Sequence, residues 1–281
     1  MLKEGQRQQT IKKEVHFSGQ ALHSGKNINL RLLPAAADRG IVFHRVDINS
    51  VPRIKARPEN VITGKRCTTI GIKKNNKLYW VQTIEHLMAA CWGLGIDNLL
   101  VEVDGSEIPI IDGSAFSFVK LLMQAGIKIL KKNRKTIVIK NSFRINRGKK
   151  CLLIFPYPGF KISFILDYDH PVIGTQFFEF EKGKNSFIED LSRARTFGFM
   201  REVKELQKNN LAQGGSLENV LLIGRDSVIN ELRFADEPVR HKIIDVIGDM
   251  MLNGYLTGHL ICIRSGHSLN IELANKIQSS L

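Results

Sequence analysis

Twice in this sequence a helical pattern, a short apolar strand and a second helical pattern follow one another, and each strand is bracketed by glycines twelve residues apart, Gly93 and Gly105, then Gly254 and Gly266. In the first passage Val81, Ile84, Leu87, Met88 and Cys91 recur at helical spacing up to a stop at Gly93 or Gly95. Asn98 to Val103 follows as a buried strand. Ser114 to Ala125 is then a helix with Asp112 or Ser114 near its cap, Phe118, Leu121, Leu122 and Ala125 on one face, and Gly126 at its end. The second passage predicts a helix over Pro238 to Leu252, a strand over His259 to Arg264 and a helix over Ser268 to Gln278. An ancient duplication leaves such a signature, with coincidence as its alternative. Either way the chain has two similar halves to bury.

Upstream of each helix pair the pattern is that of antiparallel strands: Ile28 to Leu33, Ile41 to Arg45 and Leu78 to Val81, then Thr136 to Ile139, Leu152 to Phe155 and Ile162 to Leu166. Strands first and helices later within each half argue for an α+β fold over a doubly wound parallel sheet. The polar run Lys131 to Lys135 is read as a linker, dividing an N-terminal α+β domain, residues 1–130, from a C-terminal α+β domain, residues 131–281.

Composition removes several function classes. With 43% hydrophobic and 24% charged residues, the chain is neither disordered nor collagen-like. No apolar run reaches the roughly 18 residues that cross a bilayer, and the opening MLKEGQRQQTIKKEV lacks a signal-peptide core, so a cytoplasmic protein is expected. Cys67, Cys91, Cys151 and Cys262 are scattered, which fits neither a disulfide framework nor a cysteine zinc knuckle. Neither G-x-G-x-x-G nor G-x-x-x-x-G-K-[ST] occurs, so nucleotide cofactors held by those loops are not indicated. The net charge of +14 suggests an anionic partner, but Lys120 to Lys150 alone holds eleven Lys and Arg and no acid, all but three units of it. An excess so local is weak support for nucleic-acid binding, and no nucleic acid is expected. It does suit transient contact with a membrane surface. A basic binding protein gripping nucleic acid or anionic lipid through residues 120–150 is the competing function class.

Candidate chemistry lies in three places. Glu85 and His86 stand side by side in the first turn of a predicted helix, where an exposed Glu beside a half-buried His is the plainer reading. His241, Asp245 and Asp249 are spaced by four and form one stripe on a helix whose other residues are Ile243, Ile244, Val246, Ile247, Met250 and Met251. Such a helix is largely buried, and buried carboxylates need a partner, which a metal supplies. His267 follows Gly266 on a short loop between a buried strand and the last helix, a place equally suited to catalysis and to capping. Together these pieces meet the needs of a zinc hydrolase: three protein ligands, an open position, a carboxylate base and a separate His as acid.

The combination closely resembles the UDP-3-O-acyl-N-acetylglucosamine deacetylases, the zinc enzymes that commit Gram-negative bacteria to lipid A synthesis. The resemblance runs through nearly the whole chain. It is carried by Ser18-Gly19 to Leu22-His23-Ser24-Gly25, TIEHL at 83–87, GLGIDN at 93–98, EIPIIDGSA at 107–115, DYDHP at 167–171, SRARTFGF at 192–199, VRHKIIDVIGD at 239–249 and SGHSLN at 265–270. It implies two similar α+β domains whose helices are sandwiched between sheets, with a small insert in each.

The resemblance also implies roles. His86, His241 and Asp245 match the zinc ligands, and Glu85 matches the general base that deprotonates the attacking water. His267 matches the imidazolium that stabilises the oxyanion and protonates the leaving amine, Asp249 its orienting carboxylate, and Thr196 a hydroxyl that helps hold the oxyanion. Lys242 and Arg264 are placed to meet the pyrophosphate, and Tyr168 matches an aromatic that stacks on uracil. An inserted β-α-β unit around 197–222 implies an acyl passage involving Phe197, Met200 and Val203. His23 reads as part of a tight turn, and Cys67 matches a position near the zinc in some relatives. Fe(II) suits the same donors as zinc. A zinc amidase acting on another acylated substrate is a third reading. A monomer is expected. Since the chain ends soon after its last helix, at Leu281, regulation through a longer C-terminal tail is not expected.

Overall fold

Alternating apolar residues settle onto one face of each of two sheets in the computed structural model, which describes residues 6–281; residues 1–5, where the expected N-terminal domain begins, lie outside the described residues. The first sheet has the spatial order Val15–Gln20, Asn27–Pro34, Leu99–Val103, Ile41–Arg45, Ile54–Lys55. The second follows the same plan: Phe143–Arg147, Lys150–Phe155, Tyr255–Ile263, Phe160–Asp167, Thr175–Glu181, with Thr136–Val138 added beside the central strand.

In each sheet the last strand in sequence sits in the middle. It runs antiparallel to one neighbour (Leu32↔Val101, Leu153↔Ile261) and parallel to the other (Phe43↔Val101, Ser163↔Ile261). The expectation of antiparallel strands is thereby corrected to mixed sheets. A strand that returns after a helical crossover arrives parallel to the strand it left.

Five α-helices accompany the sheets among the described residues: α1 Glu85–Leu94, α2 Phe116–Ala125, α3 Met200–Lys208, α4 Glu237–Met250 and α5 His267–Gln278. The α1, α2, α4 and α5 helices occupy the space between the sheets. The α1 helix packs on α2 and α4, α4 packs on α5 and on the strand Phe160–Asp167, and α2 lies on Val15–Gln20. One apolar core runs from Phe43 and Val101 through Leu87, Met88, Ile243 and Ile247 to Phe164 and Leu260. The fold is α+β, as the strand and helix order predicts.

Several boundaries differ from the expectation. Val81 belongs to the strand Lys77–Gln82, because the chain turns sharply at Thr83, whose φ is +62°, before α1 begins. Lys131 to Asn133, expected as linker, end a strand, Ile127–Asn133, that pairs with Arg7–Ile11. Strand pairing supplies order that a polar run does not advertise. The inserts are a three-stranded sheet, Val61–Thr63, Thr69–Lys74 and Lys77–Gln82, and a unit in which Phe197–Phe199 and Leu221–Ile223 pair in parallel across α3. Met200, Val203 and Leu206 recur every three residues along α3, yet the helix has no buried residue, so that spacing does not serve core packing. Among the described residues no helix is long and apolar enough to cross a membrane.

Candidate active site

The first turn of α1 meets the middle of α4, and this contact needs a glycine. A Cβ on Gly248 would lie 2.1 Å from the carbonyl oxygen of Glu85, so only glycine lets the two backbones approach this closely. The approach brings Glu85 and His86 beside the α4 stripe. Both are buried, 4% and 3% exposed, where an isolated Glu-His pair suggested an exposed Glu and a half-buried His.

His86, His241 and Asp245 present ligand atoms that all lie within 4.8 Å of one another. His86 Nε2 is 3.8 Å and His241 Nε2 3.4 Å from Asp245 Oδ1. These separations are close to what ligands about 2.1 Å from a shared ion at a tetrahedral angle require. Asp245 Oδ1 is buried and has no hydrogen-bond partner among the described residues, while Oδ2 accepts from Lys242 Nζ at 2.7 Å. His241 Nδ1 stands 3.1 Å from the carbonyl oxygen of Ala194, which can only accept, so the proton sits on Nδ1 and the Nε2 lone pair is left facing Asp245. An orphaned carboxylate oxygen beside two imidazole nitrogens is a donor set that fits a divalent cation.

Burial pushes the pKa of His86 down to about 3, with His241 adding repulsion, and burial likewise lowers that of His241. Both rings are thus neutral, as metal ligands must be. Burial also opposes the charge on Asp245, but the Lys242 cation, helped by His267, outweighs it and holds this carboxyl well below the usual range.

Across from this cluster stand Glu85 and His267. His267 Nε2 is 3.8 Å from Glu85 Oε1 and 3.7 Å from Asp245 Oδ2, and its Nδ1 is 2.9 Å from Asp249 Oδ2. Burial raises Glu85 to about 7, partly offset by His267. Burial works against the His267 cation too, yet Asp249 and Asp245 overcome it and raise this imidazole to about 10. A carboxylate that can take a proton near neutrality therefore faces an imidazolium that can give one.

The remaining predicted residues are placed as follows. Thr196 and Phe197 line the cavity with Leu22, His23, Arg66, Cys67, Thr83, Ile110 and Lys242. Tyr168 packs against Phe197 and Phe199 with ring centroids 6.0 and 5.2 Å apart. Arg264, at φ +52°, directly follows the central strand of the second sheet and pairs with Asp167 at 2.8 Å. Met200 and Val203 stand on α3, outside the cavity lining, with Met200 46% exposed. Cys67 is buried, and burial pushes its thiol up to about 12, where it is no nucleophile at neutral pH.

Sequence reasoning missed four residues of the site. Thr68 donates its backbone N–H to Glu85 Oε2 at 3.1 Å and its hydroxyl to Asp249 Oδ1, so one residue touches both the candidate base and the candidate acid pair. Asn270 donates to Asp249 Oδ2 at 2.8 Å, and Ser265 donates to Asn270 Oδ1 at 2.8 Å. Glu107, fully buried, accepts from the backbone of His23 and Ser24 and from Thr83 Oγ1, pinning the LHSG turn to the start of α1. Ser265 and Asn270 lie in the SGHSLN motif and Glu107 opens the EIPIIDGSA motif, whereas Thr68 lies in none of the motifs.

Comparison with known proteins adds an independent line. The family model described as UDP-3-O-acyl N-acetylglycosamine deacetylase matches residues 8–279. A protein of Citrifermentans bemidjiense named UDP-3-O-acyl-N-acetylglucosamine deacetylase is 47% identical over 273 residues, 96% of this chain and 88% of that protein. Proteins of the same name from Geotalea uraniireducens and Aliivibrio fischeri are 47% and 43% identical, over 97% and 96% of this chain and 88% and 90% of their own lengths.

Proposed function

This chain belongs to the UDP-3-O-acyl N-acetylglycosamine deacetylase family, and on that premise we propose that it removes acetate from the glucosamine nitrogen of UDP-3-O-(3-hydroxyacyl)-N-acetylglucosamine, the committed step of lipid A biosynthesis. The observation that carries the reading is the orphaned Asp245 Oδ1 between two neutral imidazoles, opposite a carboxylate and an imidazolium.

His86, His241 and Asp245 would hold one zinc ion, and Fe(II) suits the same donors. When bound, such an ion would supply Lewis-acid chemistry, favouring negative charge on oxygen. Glu85, steadied by the Thr68 N–H, takes the proton of the attacking water. His267, held by Asp249, donates toward the oxyanion and then protonates the departing amine, and the Thr196 hydroxyl helps hold the same oxyanion. Lys242 and Arg264 bind the pyrophosphate and Tyr168 stacks on uracil. Phe197, Met200 and Val203 belong to the acyl passage beside α3.

The same reading has two domains meeting near residue 130, with sheet membership changing between Asn133 and Thr136. It also has a monomer in the cytoplasm, no nucleic-acid partner and transient contact with the inner membrane surface.

The test is acetate release by the purified chain as isolated, after chelation, and during zinc titration. Activity lost on chelation and regained at about one zinc per chain is the expected result. Metal binding without acetate release moves the substrate elsewhere, and absence of any metal binding removes the reading.

A further inference from the structure

The three-stranded insert sheet carries an exposed apolar face that the chemistry above does not use. Gly71 lies opposite Trp80 and Lys73 opposite Leu78, and directly opposed residues share a face, so Lys73, Leu78 and Trp80 stand together. Ile62 joins them, because a Cβ on Gly71 would lie 2.2 Å from Ile62 Cδ1. Ile62, Leu78 and Trp80 are 42%, 42% and 39% exposed, whereas Ile70 and Val81, on the opposite face of the same sheet, are fully buried. Trp92, the other tryptophan, is 4% exposed.

Charge on this sheet has one sign. Lys65, Arg66, Lys73, Lys74 and Lys77 are all exposed, and the sequence contains no Asp or Glu between Glu59 and Glu85. Tryptophan with aliphatic neighbours inside a ring of cations is the composition that seats at the boundary between lipid headgroups and acyl chains, and cations there are drawn to anionic lipid. Cations of the 120–150 stretch are more often engaged within the chain: Lys132 with Asp38 at 2.8 Å, Arg134 with Asp97 at 2.7 Å, Arg147 with Glu272 at 2.5 Å.

We propose that the face formed by Ile62, Lys73, Leu78 and Trp80 is a docking surface for an anionic lipid bilayer. The sheet adjoins the candidate active site: Arg66 and Cys67 line the cavity, and the strand Lys77–Gln82 runs directly into Thr83 and α1. The value of a bilayer surface at that position rests on the acylated-substrate reading. Docking itself does not, and its test involves no turnover.

The experiment is co-sedimentation of the full chain with vesicles of phosphatidylethanolamine and phosphatidylglycerol, and separately of phosphatidylcholine alone, with tryptophan emission followed alongside. The expected result is binding to the anionic vesicles that weakens with salt, with emission moving to shorter wavelength as Trp80 leaves water. Lys73→Gln and Lys77→Gln each weaken partitioning roughly fivefold. Ile62→Ser with Leu78→Ser weakens it roughly tenfold and removes the emission shift, while thermal melting shows that the variants remain folded. Three results overturn the proposal: no binding to anionic vesicles, binding that these variants leave unchanged and that neutralising Lys131 and Lys135 abolishes, or an emission shift that follows protein concentration without lipid, the mark of a second copy on this face.

Discussion

The two sheets share strand order and direction, yet the helices they carry contribute unequally to the site. From the first half come one candidate ligand, His86, and the candidate base, Glu85, both from the opening turn of α1; Leu87 to Trp92 of the same helix are buried. From the second half come His241, Asp245 and Asp249 along the body of α4, and His267 at the start of α5. The outer faces diverge as well. His16, Arg31 and Glu102 lie side by side on the first sheet, whereas Cys151, Ile263, Ile165 and Phe177 form an apolar row on the second. A repeated topology therefore dictates where helices and inner faces go and leaves the chemistry of each half free. Here the halves specialise, and the site exists only where they meet.

That division of labour can be broken from either side. The largest effect is expected from Asp245→Ala in the second half, which leaves two imidazoles with no carboxylate between them. Stoichiometric zinc and turnover are both lost, read by metal analysis and acetate release, and a variant that keeps both excludes the ligand assignment. Glu85→Gln in the first half removes only the proton acceptor, so kcat falls roughly 10²- to 10⁴-fold while metal content stays at the wild-type level. A parallel loss of metal would mean that the first half supplies a ligand in Glu85 rather than a base.

Thr68 joins the two contributions, and Thr68→Val deletes its hydroxyl at nearly constant volume. Turnover should drop roughly 10- to 100-fold, with Thr68→Ser restoring most of it; equal losses in both variants would show that the hydroxyl is not what matters. The smallest effect tests the seam itself. Gly248→Ala forces a methyl group onto the Glu85 carbonyl and should cost about 1–3 kcal/mol of stability, seen as a lower urea midpoint, and an unchanged midpoint would mean that the helices part without penalty.

Much of this frame can be read along the chain. Strands such as Ile41–Arg45 and Leu99–Val103 are short apolar runs between polar turns, and the α4 stripe is visible as a spacing of four among aliphatic residues. Edge strands advertise themselves less: Val15–Gln20 buries only one residue, Val15, so its pattern carries little signal. The burial of Glu85 was the sharpest reversal. Its local context fits an exposed helix start, and only the approach of Gly248 from 163 positions away takes it out of water.

Buried carboxylates illustrate the same limit. Glu107 and Glu237 are fully buried, Glu107 accepting backbone N–H groups of His23 and Ser24, and Glu237 those of Arg195 and Arg233. They anchor the LHSG turn and the loop bearing Thr196, and nothing in their neighbours announces it.

By itself the sequence determined the α+β class, the repeated order of elements and the identity of the groups able to bind metal and move protons, because periodicity, spacing and side-chain chemistry are local properties. Tertiary structure alone decided that Glu85 and His86 of one half face His241, Asp245 and His267 of the other, that Thr68 bridges the candidate base and the candidate acid pair, and that burial and neighbouring charge favour neutral rings at the two candidate imidazole ligands and a cation at His267. Those outcomes depend on distances and desolvation between residues far apart in the chain, quantities that exist only once the helices have packed.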